Sequence, residues 1–283
     1  MILAIASGKG GTGKTTLSTN LASYISEKQK VTLADLDVEE PNSGLFLDVE
    51  KDLEKDMFKK IPEWKESECI LCGKCQEWCK FNCIQVLGDE VMIFPEFCHT
   101  CHMCVDLCPG SALSFKDVRM GRLSKSHKGN LTFVESRLNI GEEQAVSLIS
   151  QTIDYTENYA DEDELIIVDA PPGAACPVME VVDKSDFVIL VTEPTPFGLN
   201  DLKIAVETMR ILNREFAVVI NRYGIGNDDV ITYCKAENID ILAKINNDRK
   251  LAELYSKGNL LYKHSENLRE QLDLIIEKLH LLK

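Results

Sequence analysis

Short apolar runs alternate with longer segments of helical periodicity along most of the chain. Leu17, Leu21 and Ile25 recur at the spacing of one helical face. By this pattern we predict strands at residues 1–7, 30–36, 164–168, 187–192, 216–220 and 239–245, and helices at residues 14–28, 142–159, 199–213, 228–237, 248–257 and 265–282. Continuous apolar runs are typical of strands covered on both faces, so the pattern predicts a doubly wound α/β fold with a mostly parallel sheet.

The pattern is interrupted after the second strand. Residues 48–68 are charged, and residues 119–130 are basic and polar, which favours a return linker or a hairpin there. Most of the cysteines lie between these segments. We therefore predict a discontinuous α/β domain of residues 1–60 and 119–283, with a small inserted α+β domain of residues 61–118.

The cysteines form an internal repeat. Nine of the eleven fall between Cys69 and Cys108, while Cys176 and Cys234 stand alone. Two C-x2-C-x2-C-x3-C runs, 29 residues apart, have the spacing of bacterial ferredoxins. In that arrangement three cysteines of one run and the fourth of the other hold one cluster. We therefore expect two [4Fe–4S] clusters, one held by Cys69, Cys72, Cys75 and Cys108, the other by Cys98, Cys101, Cys104 and Cys79.

Zinc is the alternative occupant of the cysteine runs. Structural zinc usually takes two separated C-x2-C pairs per ion, whereas each run here places three cysteines at that spacing. Cys83 is expected to be a small buried side chain, and Cys176 a partly buried free thiol, with a cluster shared between subunits as the minority hypothesis.

Residues 6–16, ASGKGGTGKTT, match a phosphate-binding loop placed between a strand and a helix. Backbone N–H groups are expected to face phosphate oxygens, with Lys14 at the β- and γ-phosphates and the Thr15 hydroxyl on Mg²⁺. The predicted nucleotide-binding residues of this loop are Gly8, Gly10, Gly11, Thr12, Gly13, Lys14, Thr15 and Thr16. The apolar strand ELIIV ends at Asp169, a candidate Mg²⁺ ligand, and Gly173 follows as a candidate γ-phosphate donor.

Four segments, KGGTGKTT, DLDVEEPN, DAPPG and VTEPTPFGLNDLK, together resemble the MinD/ParA/Mrp group of deviant Walker ATPases, which includes the nitrogenase iron protein. With the cysteine segment, the whole chain resembles members of that superfamily that carry an inserted ferredoxin domain. The resemblance implies slow, partner-stimulated ATP hydrolysis. It also implies an ATP-dependent dimer, either of two identical chains or with a related ATPase.

The resemblance also implies roles for single residues. Lys9 is expected to reach phosphates bound to the other subunit, so Lys9, Lys14 and Asp37 form the catalytic set. Asp37 would position the attacking water, and Asp35 would help to hold Mg²⁺. Asn221 matches the asparagine that contacts adenine in this group.

Charge and hydropathy limit the partners. The net charge of −15 disfavours nucleic acid, and no segment approaches the length of a membrane span. The amphipathic C-terminal segment carries mixed charge, so packing on the sheet is expected rather than membrane binding. The N-terminal apolar run is too short for a signal peptide, and we expect a cytoplasmic protein.

Four functions fit these features in decreasing order. The first is an ATP-gated electron-transfer protein with a redox partner, and the second is an iron–sulfur or metallocofactor assembly ATPase with an assembly partner. A positioning or partitioning ATPase and an ATP-dependent amidating enzyme, which needs a glutaminase domain, come last.

Overall fold

The computed structural model describes residues 1–282, which form a large sheet covered by helices on both faces. The strands are β1 (Ile2–Ala6), β2 (Val31–Asp35), β3 (Glu50–Trp64), β4 (Ile84–Leu87), β5 (Glu90–Ile93), β6 (Leu113–Lys128), β7 (Leu131–Leu138), β8 (Leu165–Asp169), β9 (Phe187–Thr192), β10 (Phe216–Tyr223) and β11 (Ile241–Asn246). The α-helices are α1 (Lys14–Ile25), α2 (Lys74–Trp78), α3 (Met103–Asp106), α4 (Ala145–Tyr159), α5 (Cys176–Asp183), α6 (Pro196–Ile211), α7 (Asp229–Ala236), α8 (Arg249–Tyr255) and α9 (Glu266–Lys278).

The large sheet has the strand order β11-β10-β9-β1-β8-β2-β7-β6-β3, and β4 pairs with β5 in a separate ribbon. All its pairings from β11 to β7 are parallel, whereas β6 pairs antiparallel with both β7 and β3. One apolar core includes residues of α4, α5, α6 and α7, and the other includes residues of α1 and α9. The predicted doubly wound, mostly parallel α/β fold is therefore confirmed.

The C-terminal helix packs on the sheet, as its mixed charge predicted. Leu268, Leu272 and Ile275 of α9 are buried in the same core as α1. Within residues 1–282, none of the helices combines the length and the apolar character that crossing a membrane requires.

Three strands and one helix differ from the sequence-based expectation. Residues 48–68 were expected as a charged segment and residues 119–130 as a return linker or a hairpin, and most of them belong to the long strands β3 and β6. Strand β6 forms a hairpin with β7, which agrees with the second alternative. Strand β7 and helix α5 were not predicted at all. The charged side chains of β3 and β6 pair across the exposed face, for example Arg119 with Asp56 at 2.7 Å and Arg122 with Glu54 at 3.4 Å. Because charged side chains occupy this face, the alternation of apolar and polar residues that indicates a strand is hard to recognise in the sequence.

The cysteine segment connects to the sheet without a flexible linker. Strand β3 continues past residue 60 and pairs with β6 up to the contact of Trp64 with Leu113. The predicted boundaries at residues 60 and 119 therefore fall within paired strands. The domain ranges themselves stay a prediction, and Lys283 lies outside the described residues.

The segment between β3 and β6 has a small core of its own. Helices α2 and α3 and the ribbon of β4 and β5 surround this core. Its buried members include Ile61, Ile84, Val91 and Leu113, and the cysteines pack around them.

Truncation of Leu123 tests whether β6 is part of the main core. Leu123 is fully buried, so Leu123→Ala should lower the free energy of unfolding by about 2–5 kcal/mol. Leu53 lies on the neighbouring strand with its side chain 39% exposed, so Leu53→Ala serves as the matched control and should cost about 1 kcal/mol or less. Urea denaturation of both variants gives the comparison. Equal losses would contradict the burial of this strand.

Candidate functional site

Close packing constrains the glycines of the phosphate-binding loop, which connects β1 with α1. Gly11 and Gly13 have φ angles of 80° and 100°, in the left-handed region that favours glycine. A Cβ atom at Gly13 would lie 2.2 Å from Nδ2 of Asn221, and one at Gly8 would lie 2.3 Å from the carbonyl oxygen of Asp201. Both glycines are therefore required by their neighbours as well as by the loop.

Lys14 begins α1 and is buried at the base of the loop. Its Nζ donates a hydrogen bond of 3.0 Å to Ser7 Oγ, which in turn donates to the carbonyl oxygen of Lys9 at 2.5 Å. Burial lowers the pKa of Lys14, and the opposing influence comes from three carboxylates, Asp169, Asp37 and Asp35. The ammonium thus lies among acids at the carboxyl edge of the sheet.

Asp35 organises the loop that follows β2. Its carboxylate accepts backbone hydrogen bonds from Asp37 at 3.0 Å, Asn42 at 2.9 Å and Ser43 at 2.8 Å. Burial raises the pKa of Asp35, and these hydrogen bonds oppose the shift. The contacts hold Asp35 to its own loop, so any interaction with a metal ion would be added to them.

Asp169 has a buried oxygen atom free for a further partner. Its Oδ2 accepts a hydrogen bond of 2.9 Å from Ser43 Oγ, while Oδ1 is buried without a hydrogen-bond partner among the described residues. Burial, together with the nearby Asp35, raises the pKa of Asp169 to about 7, and the adjacent Thr15 hydroxyl opposes the shift. An unpaired carboxylate oxygen beside a threonine hydroxyl is a donor set that fits Mg²⁺.

Asp37 lies at the mouth of the same cavity. It is partly buried, and burial together with the charge of Asp35 raises its pKa to about 6. The cavity has a volume of about 400 Å³. Its lining includes Gly10, Gly11, Gly13, Lys14, Thr15, Thr16, Asp37, Pro172, Asn221, Arg222, Asn247, Asp248, Leu251 and Tyr255.

Sequence analysis missed the part of the cavity wall that comes from α8 and the loop before it. Tyr255 stacks on Phe46 with ring centroids 4.7 Å apart, which fixes the tyrosine beside the loop. Asn247 and Asp248 line the same wall. These residues carry no motif, and their location depends on how α8 folds back toward β11.

Two predicted nucleotide contacts are engaged with the loop in this structure. Asn221 donates from Nδ2 to the carbonyl oxygen of Thr12 at 2.8 Å, and its Oδ1 accepts from the N–H of Arg222 at 2.9 Å. The N–H of Gly173 donates to the carbonyl oxygen of Ser7 at 3.3 Å. Both residues therefore contact the phosphate-binding loop directly, and their roles toward a nucleotide stay predictions.

Lys9 points toward α6 of its own chain. Its Nζ lies 3.9 Å from Oδ2 of Asp201, and the side chains are 35% and 26% exposed. A pair so long and so accessible contributes little to stability, so the lysine is free to exchange this partner for another.

The structure brings each predicted set of four cysteines together around one cavity. The first thiol site consists of Cys69, Cys72, Cys75 and Cys108, and the second thiol site consists of Cys79, Cys98, Cys101 and Cys104. Burial raises the pKa of Cys75 and that of Cys104, and the other thiols of the same set add to each shift. Each set thus crosses between the two cysteine runs, as the ferredoxin spacing predicts.

The two cysteine runs match in backbone conformation as well as in cysteine spacing. Both adopt left-handed φ angles at corresponding positions, which are Leu71 and Thr100, Gly73 and His102, and Asn82 and Ser111. Backbone N–H groups donate to sulfur in the first run, from Leu71 to Cys69 Sγ at 3.4 Å and from Cys83 to Cys79 Sγ at 3.3 Å.

The chemistry of the two thiol sites fits [4Fe–4S] clusters. Each cavity is lined by its four predicted thiols, with Cys83 as a fifth at the second, and N–H donors to sulfur are typical of such sites. Trp64 lines the first site, and its indole N–H is buried without a hydrogen-bond partner among residues 1–282. Within residues 1–282, no three His, Cys, Asp or Glu side chains converge in a way suited to a single metal ion.

The remaining cysteines occupy different environments. Cys83 is buried beside Cys98, and Cys234 is buried in α7. Cys176 begins α5 and is exposed, whereas we expected it to be partly buried. The difference arises because α5 starts at the surface, directly after the segment that leaves Asp169.

Comparisons with known proteins agree with this architecture. A family model, the CobQ/CobB/MinD/ParA nucleotide binding domain, matches residues 3–261. The uncharacterized protein MJ0579 of Methanocaldococcus jannaschii is 32% identical over 267 residues, 94% of this chain and 93% of that protein. A ferredoxin of Methanothermococcus thermolithotrophicus is 34% identical over 47 residues, which are 16% of this chain and 78% of the ferredoxin.

Among solved structures, the septum site-determining protein MinD of Pyrococcus horikoshii OT3, complexed with Mg-ADP, has a TM-score of 0.61 at 20% identity. The match covers 98% of this chain and 95% of that chain. This likeness shows a shared fold, and the family model confirms the superfamily inferred from the motifs. The chain belongs to the CobQ/CobB/MinD/ParA family of nucleotide-binding domains.

Proposed function

We propose that the protein is an ATP-hydrolysing iron–sulfur protein, in which an ATP-dependent dimer couples the nucleotide state to electron transfer through two [4Fe–4S] clusters. The observation that carries the proposal is the gathering of eight cysteines into two sets of four. This segment sits on strands continuous with the sheet that bears the phosphate-binding loop.

In the nucleotide half, the chain supplies charge and hydrogen-bond donors for a triphosphate. The loop N–H groups and Lys14 would bind the phosphates. The Lys14 ammonium lies at the base of the loop, where it donates a hydrogen bond to Ser7 Oγ. Thr15 and Oδ1 of Asp169 would hold Mg²⁺, which neutralises phosphate charge when bound, and Asp35 would assist through water. A pKa of about 6 leaves Asp37 mostly ionised at neutral pH, ready to orient the attacking water.

Lys9 would link ATP binding to dimerisation. Its weak contact with Asp201 leaves the ammonium available to phosphates on a partner subunit, a related ATPase or a second copy of this chain. A cation that meets the triphosphate only in the dimer makes each event favour the other. The similar fold of a MinD structure that holds Mg-ADP supports a nucleotide in this cavity.

In the iron–sulfur half, the cysteines of the first thiol site and of the second would each hold one cluster. When bound, the clusters supply one-electron storage, and the surrounding N–H groups and charges set their potentials. Trp64 lines the first site, and its indole N–H, which has no hydrogen-bond partner among residues 1–282, could donate to such a cluster.

An assembly ATPase is the second candidate, and its partner would be an apo-protein that receives a cluster. Cys72 of the first thiol site and Cys101 of the second are exposed, which favours access by such a partner. Anaerobic transfer of a cluster to an apo-protein, accelerated by ATP, would favour this function over electron transfer.

Replacement of Lys9 separates dimerisation from nucleotide binding. Lys9→Ala should abolish the ATP-dependent dimer, because the triphosphate then lacks its cation from the other subunit, while the monomer still binds ATP. Light scattering with Mg-ATP measures the mass, and fluorescent ATP measures binding. Lys203→Ala, an exposed lysine on α6, is the matched control and should dimerise normally. A Lys9→Ala protein that dimerises with ATP would contradict the role in trans.

The two tryptophans provide one reporter for each thiol site, because Trp64 lines the first and Trp78 the second. In a Trp78→Phe background, anaerobic reconstitution with iron and sulfide should quench most of the Trp64 emission. Cys72→Ser in this background should prevent much of the quenching, whereas Cys101→Ser should preserve more of it. Iron and sulfide analysis should give two four-iron clusters per chain. Bound zinc, or no metal, would contradict the iron–sulfur half of the proposal.

The raised pKa values predict a pH-dependent affinity for Mg-ATP. Because Asp169 titrates at about 7, protons compete with Mg²⁺ below that pH, and affinity should fall about tenfold from pH 8 to pH 6. The stability of the nucleotide-free protein should depend on pH in the opposite direction and fall as pH rises. A carboxyl whose folded pKa is raised stabilises the fold at low pH and loses that contribution as pH rises toward 7.

Thermal unfolding with and without Mg-ATP across pH 5.5 to 8 measures both effects. Asp169→Asn is the control, since its side chain does not titrate, and it should flatten the pH profile of the nucleotide-free protein. An unchanged profile in this variant would show that other groups cause the dependence.

A further inference from the structure

A buried lysine of β3 belongs to neither site described so far. The Lys59 side chain is 3% exposed, and that of Glu142 is 11% exposed. The Lys59 Nζ lies 2.8 Å from one carboxylate oxygen of Glu142 and donates to the other at 2.9 Å. Removing two such groups from water costs free energy that their attraction barely offsets, so a buried pair of this kind points to a role other than stability.

On one side, Lys59 contacts the turn that presents Cys98. Its Nζ lies 3.5 Å from the carbonyl oxygen of Pro95, and the N–H of Cys98 donates to that same oxygen at 3.2 Å. The Lys59 ammonium and the Cys98 amide thus share one acceptor, the carbonyl oxygen of Pro95. The ammonium therefore lies close enough to the second thiol site to influence a negative charge there.

On the other side, Glu142 lies in the turn that precedes α4. Its Oε1 accepts the backbone N–H groups of Glu143 and Gln144, both at 3.1 Å, directly before the helix begins. Within α4, Gln151 donates to the carbonyl oxygen of Phe58 at 3.1 Å. Helix α4 and the turn before it are thus attached to β3 at two adjacent positions, Phe58 and Lys59.

Helix α4 also packs on the element that follows the nucleotide cavity. Leu148 and Ile149 of α4 share one buried core with Val178 and Val181 of α5. Helix α5 begins at Cys176, soon after Pro172, which lines the nucleotide cavity. A continuous set of packed groups therefore runs from the cavity to Lys59.

We propose that Lys59 is a positioning residue for the second thiol site. The lysine holds the turn of Cys98 and places a positive charge beside that turn. Glu142 ties that charge to α4, so a nucleotide-dependent shift of α5 and α4 changes the second site more than the first. This inference rests on the proposed function for the presence of clusters. The contact of Lys59 with the Cys98 turn is independent of them.

Charge variants of the pair give opposite expected signs. In anaerobic redox titrations followed by EPR, Lys59→Met should disfavour the reduced second cluster, and the ratio of reduced to oxidised cluster at fixed potential should fall about threefold. Glu142→Gln leaves the ammonium uncompensated and should raise that ratio by a similar factor. A variant that only disturbed the local structure would not be expected to change the ratio in opposite directions at Lys59 and at Glu142. Lys116→Met removes a lysine of β6 from an exposed pair with Glu63 of β3 at 3.9 Å, and it is the matched control.

The response to nucleotide tests the connection through α4. Mg-ATP should shift the second cluster's ratio in the parent and in Lys116→Met, and it should do so at most weakly in Lys59→Met. The double variant Lys59→Met, Glu142→Gln restores neutrality and should also lose the response. It serves as the test if a single variant fails to fold.

Hydrogen exchange separates failure of this inference from failure of the proposed function. In the iron-free protein, Lys59→Met should speed exchange in a peptide that contains the Cys98 amide, and Lys116→Met should not. If the parent binds no iron, the proposed function is wrong, and this measurement still decides the positioning role. If the parent holds clusters but Lys59→Met and Glu142→Gln behave like Lys116→Met, this inference is wrong and the proposed function stands.

Discussion

The antiparallel pairing of β3 with β6 determines how the two parts of the molecule are joined. The two strands pair without a flexible linker from the edge of the main sheet to Trp64 and Leu113, where the cysteine segment begins. A paired ribbon resists bending far more than two separate linkers do. The thiol sites are therefore held in a defined relation to the sheet, and a displacement of the helices that cover the sheet has a physical route to them.

At the other end of this route, the nucleotide cavity has more buried acid than base. Asp35 and Asp169 are buried, Asp37 is partly so, and Lys14 is the cation that lies among them. The raised pKa values of the acids express this imbalance. A divalent ion would relieve the imbalance, so the fold is electrostatically suited to a metal–nucleotide complex rather than to a nucleotide alone.

How far the sequence predicts this structure depends on how local each signal is. The parallel strands and the grouping of the cysteines follow from short motifs, such as the apolar run before Asp169 and the repeated x2 spacing. Strands β3 and β6 were missed because their exposed face is charged and their pairing joins residues far apart in sequence, such as Trp64 and Leu113. Strand β7 pairs with β6 across a short turn, in the hairpin that the sequence left open as an alternative. Lys59 lies in a charged stretch that suggests exposure, and only the folded chain places Glu142, 83 residues later, against it. Likewise, no sequence pattern shows that Asn221 contacts the carbonyl group of Thr12.

The crossed arrangement of the cysteine runs has a consequence for how this segment can change. Each thiol site takes three cysteines from one run and one from the other, and the left-handed turns recur at matching positions in both. Neither half is self-sufficient, so deletion of either one would dismantle both sites at once. The two runs are thus interdependent, because each one contributes cysteines to both thiol sites.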